Sequence, residues 1–247
     1  MEVSPFYKIK CLFVGQQSSG KSSLLHLVHH EIPTMKTEPT IGMGFAATQF
    51  ELEEYPLSNP SKLPNFYHEA KKSFPINVSD KPLQLVQLQC WDCSGNTKFF
   101  SITNNYMRDV DICFLVFDIT DRTSWDQLPM WREKIMSFSR HDKLPMIVLV
   151  GTKSDLKNHQ ISLAEIKERS ELWGIKNYVL SAIQESSSSM LKRMLYKSVQ
   201  EYHNLMLLLS HEEKSLPAHI SIKHFMKRIP ILDLAVDSNP GYCCVIL

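Results

Sequence analysis

Short apolar runs recur along this chain, separated by stretches whose apolar residues return at helical spacing. The runs at 7–14, 45–52, 83–91, 111–117, 145–151 and 177–181 read as strands. The stretches at 21–29, 124–139, 162–173 and 186–206 read as helices. Strands alternating with helices predict a mostly parallel sheet with helices on both faces. Such a sheet binds ligands at the carboxyl ends of its strands. Two segments break the alternation. Residues 55–81 carry Pro56, Pro60, Pro64 and Pro75 among scattered Ser, Asn and Lys, between two strands that a tight hairpin could join. They read as an inserted loop. From 207 to 247 no clean period holds, and the stretch reads as a flexible tail.

The chemistry enters immediately after the first strand. Gly15-Gln16-Gln17-Ser18-Ser19-Gly20-Lys21-Ser22 spells GxxxxGKS, preceded by the apolar run Ile9–Val14 and followed by the helix-like run Ser23–Val28. Strand, glycine loop and helix in that order form a phosphate cradle. Gly15 and Gly20 let the backbone wrap a phosphate where a Cβ would intrude. The N–H groups of Ser18, Ser19 and the helix start, through Ser23, supply positive partial charge. Lys21 is placed to reach the β- and γ-phosphates and the Ser22 hydroxyl to hold Mg²⁺.

Further fragments follow in a set order. Thr40, within Pro39-Thr40-Ile41-Gly42, can complete a Mg²⁺ shell and sense a γ-phosphate. Trp91-Asp92-Cys93-Ser94-Gly95 closes the third strand run; Asp92 can support Mg²⁺ and the Gly95 N–H can touch the γ-phosphate. Gly151-Thr152-Lys153-Ser154-Asp155 closes the fifth, and a carboxylate there accepts two hydrogen bonds from N1–H and the 2-amino group of guanine, which adenine lacks. Ser181 and Ala182 close the sixth and can brace the base with backbone N–H groups.

Composition adds limits. The chain has 247 residues, 43% of them hydrophobic, and a net charge of +1. That suffices for a core and gives no global pull toward nucleic acid. No apolar run reaches membrane-spanning length. Met1-Glu2-Val3-Ser4-Pro5 has neither a signal-peptide pattern nor a glycine in second place, so neither secretion nor N-myristoylation is expected. Cys11 and Cys113 fall in apolar runs and read as small core residues. Cys90 and Cys93 form a C-x-x-C without a second pair, across the Asp92 motif, which speaks against a metal or redox centre. His26, His29 and His30 share a helix face with no fourth ligand and read as an exposed face.

Taken together, GQQSSGKS at 15–22, TIGMGF at 40–45, WDCSG at 91–95, Tyr106 with Arg108, VFDIT at 116–120, Trp131, GTKSD at 151–155 and Ser181-Ala182 resemble the Ras superfamily of small GTPases, most closely its Rab branch. The resemblance covers about residues 7–205 apart from the insertion. It implies an α/β P-loop fold: a six-stranded mixed sheet with about five helices, the second strand antiparallel to the third. It implies a domain over 1–206 with an insertion at about 55–81, then a hypervariable tail over 207–247. It implies GTP and GDP as ligands, Mg²⁺ through Ser22, Thr40 and, by way of water, Asp92, and catalysis by Lys21, Gly95 and Asn96. The family role is a GTP/GDP switch in membrane trafficking. Its partners are an exchange factor, a GTPase-activating protein, a prenylation escort, a membrane-extraction chaperone and effectors. The expected state is a monomer on the cytoplasmic face of an intracellular or plasma membrane, with a cytosolic pool.

The departures bear on rate and partners. Asn96 stands where the family places a water-orienting Gln, and is one methylene shorter. Gln17 stands where a small residue is usual and would crowd an incoming arginine finger. Pro33 replaces an aromatic that packs near guanine, Thr152 an Asn, and Ile183 a Lys. Met43-Gly44 replaces Val-Asp of the Rab effector region. Slow hydrolysis follows, with an Asn96→Gln change expected to raise the rate unless Gln17 blocks the geometry. A second reading is a GTP-binding docking module that scarcely turns over. A P-loop kinase is a third; it would need a lid with Arg, and 55–81 holds none. The chain ends Cys243-Cys244-Val245-Ile246-Leu247, a C-a-a-X with terminal Leu that favours geranylgeranylation of Cys244. One lipid holds weakly. The tail's Lys and Arg are balanced by Asp and Glu, so Cys243 is the expected second lipid site.

Overall fold

The computed structural model describes residues 7–34, 38, 40–52, 84–139 and 144–213. Six strands, β1 (Tyr7–Val14), β2 (Met43–Leu52), β3 (Gln84–Cys93), β4 (Ile112–Asp118), β5 (Met146–Thr152) and β6 (Lys176–Val179), form one sheet in the order β2-β3-β1-β4-β5-β6. β2 runs antiparallel to β3, and every other neighbouring pair is parallel. This is the mixed sheet expected from the sequence. After β1 the chain builds β2 and then β3 on one side, and later β4 on the other. The carboxyl end of β1 is therefore the point where strand order reverses, the place for a ligand in an open α/β sheet.

The strands earn their places by burial. All of Ile112–Asp118 is buried, as both faces of a central strand are covered. β1 splits its side chains by parity. Ile9, Cys11 and Phe13 join the cluster under α1 (Lys21–His30) and α6 (Ser187–Glu213), whereas Leu12 and Val14 join a second cluster. That second cluster lies under α3 (Arg122–Asp126), α4 (Leu128–Phe138) and α5 (Leu163–Trp173). Phe13 stacks on Phe114 with centroids 4.9 Å apart, tying β1 to β4. β2 lies at the edge, and Phe45 on it is exposed while Ala46 is buried. α6 is pinned to the sheet where the Tyr202 hydroxyl donates to Asp111 Oδ1 at 2.5 Å, while the Lys10 N–H donates to Asp111 Oδ2.

Three features of the structure differ from the sequence reading. The helix expected at 124–139 is two helices that meet at Gln127, because Pro129 at the start of α4 lacks an N–H for an unbroken ladder. The stretch after Gly95, which carries no helical period, winds into 3₁₀ turns at Thr97–Phe99 and Asn104–Met107 around a short α2 (Phe100–Thr103). α6 runs on to Glu213, past the boundary expected at 206. The insertion at 55–81 lies outside the described residues, as do residues 214–247 with Cys243 and Cys244.

Candidate functional site

The phosphate loop wraps as its glycines require. Gly15 has φ 150° and backs onto β4 so closely that a Cβ would fall 2.0 Å from the Val116 carbonyl oxygen. Gly20, at φ 91°, is the N-cap of α1, and no side chain caps the helix. The first N–H groups of α1, those of Lys21, Ser22 and Ser23, thus remain donors for an anion. Ser18 takes φ 66°, a left-handed conformation costing on the order of 1 kcal/mol without glycine. The buried Ser19 gives its carbonyl to the Thr152 hydroxyl at 2.7 Å, so β5 braces the loop from below.

Lys21 is 4% exposed and folds back inside the loop, donating to Gln16 O at 2.7 Å. Burial pushes its pKa down to about 8, against the pull of the Asp92 carboxylate. Asp92 is buried too, and desolvation raises its pKa despite Lys21, Ser22 and Thr40. For both groups the loss of water outweighs their mutual attraction.

Ser22, Thr40 and Asp92, far apart in sequence, meet at one point. The two hydroxyls lie 2.7 Å apart and both donate to Asp92 Oδ2, Ser22 at 2.5 Å and Thr40 at 2.9 Å. Asp92 Oδ1 is buried and accepts no hydrogen bond. A set of hard oxygens with one orphaned carboxylate oxygen, beside a helix N-terminus, fits a magnesium ion carrying phosphate.

Gly95 closes the site from the β3 side. A Cβ on it would lie 2.3 Å from Gln17 N and 2.6 Å from Gly15 O, so only glycine lets these backbones touch. Asn96, next along, turns its Oδ1 to the Lys98 N–H at 3.0 Å, and Gln17 is exposed.

At the other end, Lys153 adopts φ 63° and its ammonium pairs with Asp118 Oδ2 at 2.5 Å. The Leu180 N–H donates to Gly151 O at 2.9 Å, which sets the Ser181–Ala182 loop beside the Asp155 loop. Ser181 is buried, with its Oγ accepting the Ile183 N–H at 3.2 Å, and Ala182 is buried beside it. The Asp155 carboxylate makes no hydrogen bond to any described residue and remains a free double acceptor.

Comparison with known proteins agrees with this geometry. The family model described as the Ras family matches residues 67–201. The chain is similar to Ras-related protein Rab-2B of Dictyostelium discoideum, 32% identical over 174 residues, 70% of this chain and 71% of that protein. It is similar to Ras-related protein Rab-39A of Homo sapiens, 28% identical over 210 residues, 81% of this chain and 83% of that protein. It is also similar to Ras-related protein RABA4b of Arabidopsis thaliana, 23% identical over 243 residues, 96% of this chain and 92% of that protein.

The chain belongs to the Ras family. It is a divergent, Rab-like small GTPase, a GTP/GDP-switched regulator of membrane trafficking. For this Ras-family member the departures seen in the sequence acquire structural roles. Thr152 serves as a loop brace, its hydroxyl 2.7 Å from Ser19 O and 3.1 Å from Phe117 O. Gly44 lets β2 approach α1, because a Cβ there would meet Leu25 Cδ2 at 2.8 Å. Two functional contributors were missed by motif reading. Asp118 orients Lys153 and also accepts from the Thr120 N–H and hydroxyl. Its signal was a carboxylate at the carboxyl end of β4. Gln16 holds Lys21 through a backbone oxygen, for which no side-chain signal exists.

Proposed function

We propose that this Rab-like GTPase works as a Mg²⁺-dependent, lipid-anchored switch with slow intrinsic hydrolysis. The meeting of Ser22, Thr40 and Asp92 beside the buried Lys21 carries the reading. Ser22 and Thr40 hold the metal by their hydroxyls and Asp92 holds it through water. Bound Mg²⁺ neutralises charge on the β- and γ-phosphates. Lys21 and the amides of Gly15 through Ser23 bind the phosphates, and Gly95 reports the third one. Asp155, Lys153, Thr152, Ser181 and Ala182 hold the base. Asn96 contributes little water orientation, since its amide oxygen accepts the Lys98 N–H. The test is nucleotide affinity with and without Mg²⁺. Ser22→Asn is expected to weaken Mg²⁺-dependent GTP binding at least about tenfold and to leave GDP or the empty state favoured. Equal affinity of the wild type for ATP and GTP would defeat the reading.

Thr40 stands just before a surface suited to the effectors, exchange factor and GTPase-activating protein. Ile41 is 82% exposed, Phe45 52% and Ile102 51%, and Phe45, Trp91 and Tyr106 are neighbours, with centroids 4.6 and 5.3 Å apart along the row. Apolar groups exposed together beside a switch segment suit a partner that reads the bound nucleotide. No nucleic-acid partner and no stable oligomer are part of the proposal.

Among the described residues no helix is long and apolar enough to cross a membrane. The proposed anchor is prenylated Cys244, with Cys243 carrying a second prenyl group or palmitate, loaded with the help of an escort and withdrawn by an extraction chaperone. Cys244→Ser is expected to move the protein wholly to the cytosol. Cys243→Ser is expected to leave it on membranes but exchanging faster. Fractionation and the intact mass of the mature C-terminus decide this; an unmodified mass would end the anchor proposal.

A further inference from the structure

Two carboxamides stand beside the phosphate loop, and the structure engages them differently. Asn96 Oδ1 accepts the Lys98 N–H at 3.0 Å, and Asn96 O accepts the Phe99 N–H at 3.0 Å. Asn96 therefore caps the 3₁₀ turn that opens the helical stretch from Thr97 to Met107. Asn is among the favoured capping residues, because its short side chain reaches backbone two residues on. The oxygen that would hold an attacking water is thus aimed at the backbone. Gln17 is exposed, and its side chain makes no hydrogen bond to any described residue. Its backbone touches Gly95, within 2.3 Å of where a Cβ would project. The uncommitted carboxamide belongs to a residue of the loop itself, whose backbone nitrogen lies against Gly95.

Resting on the GTPase reading, we propose that the Gln17 carboxamide, rather than that of Asn96, orients the attacking water in this chain. Gln17 Oε1 accepts a hydrogen bond from the water and is unchanged by the reaction. The water oxygen bonds to the γ-phosphorus, and the bond to the β–γ bridging oxygen breaks with its electron pair staying on GDP. The water's proton passes to the released phosphate. Asn96 keeps the following helix in place so that Gly95 stays on the loop.

Gln17→Met keeps the length of the side chain and removes the amide. It is expected to slow single-turnover GTP hydrolysis about tenfold or more, because misplacing a reactant is costly in rate. It is expected to slow it further than Asn96→Ser, which keeps a capping oxygen. Hydrolysis by Gln17→Met at the wild-type rate or faster overturns the proposal, and so does a larger loss in Asn96→Ser. A second readout needs no turnover. When GDP is exchanged for a non-hydrolysable GTP analogue, the side-chain amide NMR signals of Gln17 are expected to move further than those of Asn96. The reverse overturns the proposal. Failure of the wild type to bind guanine nucleotide in the same samples would instead sink the GTPase reading itself.

Discussion

Asp155→Asn is expected to turn a guanine-selective site into one that prefers xanthine nucleotides, with a swing in selectivity of about 10⁴. The carboxylate sits half-buried after Lys153, in a loop set beside Ser181 and Ala182 by the Leu180–Gly151 hydrogen bond, and no described residue occupies its oxygens. Both are free to accept from the N1–H and 2-amino group of guanine. Asparagine offers one acceptor and one donor pair, so guanine's 2-amino group would face an amide donor. Xanthine carries an oxygen at that position and restores the match. The effect is large because a site built to pair with a polar base edge leaves groups unpaired when the edge is wrong. Competition of GTP, XTP and ATP against a fluorescent guanine nucleotide measures it. A variant that still prefers GTP over XTP would remove Asp155 from the base site and leave the fold assignment standing.

Most of the scaffold was legible because burial enforces it. β1 and β4 lie at the centre of the sheet, so Cys11–Val14 and Ile112–Phe117 are continuous apolar runs, and the predicted 7–14 coincides with the observed strand. The phosphate loop was legible because only glycine tolerates the positions of Gly15 and Gly20. What stayed hidden falls into two kinds. The helical stretch after Gly95 is short, and a capping Asn96 sustains it instead of an apolar period. Contacts that run through backbone atoms, such as Lys21 to Gln16 O, leave no mark on residue type. Asn96 shows the consequence most clearly. From sequence it is a shortened catalytic glutamine. In the fold its oxygen belongs to a helix cap, so lengthening it to Gln would remove the cap while supplying the amide. The rate gain expected from Asn96→Gln therefore competes with loss of order in the stretch Thr97–Met107.

Gly15→Ala is expected to be the most destabilising single methyl addition in the described chain. The added Cβ would lie 2.0 Å from the Val116 carbonyl oxygen, and the residue would keep φ 150°. Val116 is wholly buried in β4 and its carbonyl is backbone, so no flexible side chain can swing aside to make room. Relief requires moving the loop or the central strand, and interiors this dense transmit such a strain instead of absorbing it. A cost of about 4 kcal/mol or more follows. For a domain of this size that lowers Tm by roughly 10 °C. Gly42→Ala is the control: Gly42 also has positive φ, 83°, but no atom lies within 4 Å of its would-be Cβ. It should show the backbone cost alone, about 1–2 kcal/mol. Thermal unfolding of wild type and both variants, at one fixed concentration of GDP and Mg²⁺, separates the two effects, because a bound ligand raises Tm by itself. Equal shifts in the two variants would mean that β4 does not press on the loop as described. A much larger shift in Gly15→Ala, together with loss of GDP protection, would tie the loop's shape to the central strand and its nucleotide affinity to both.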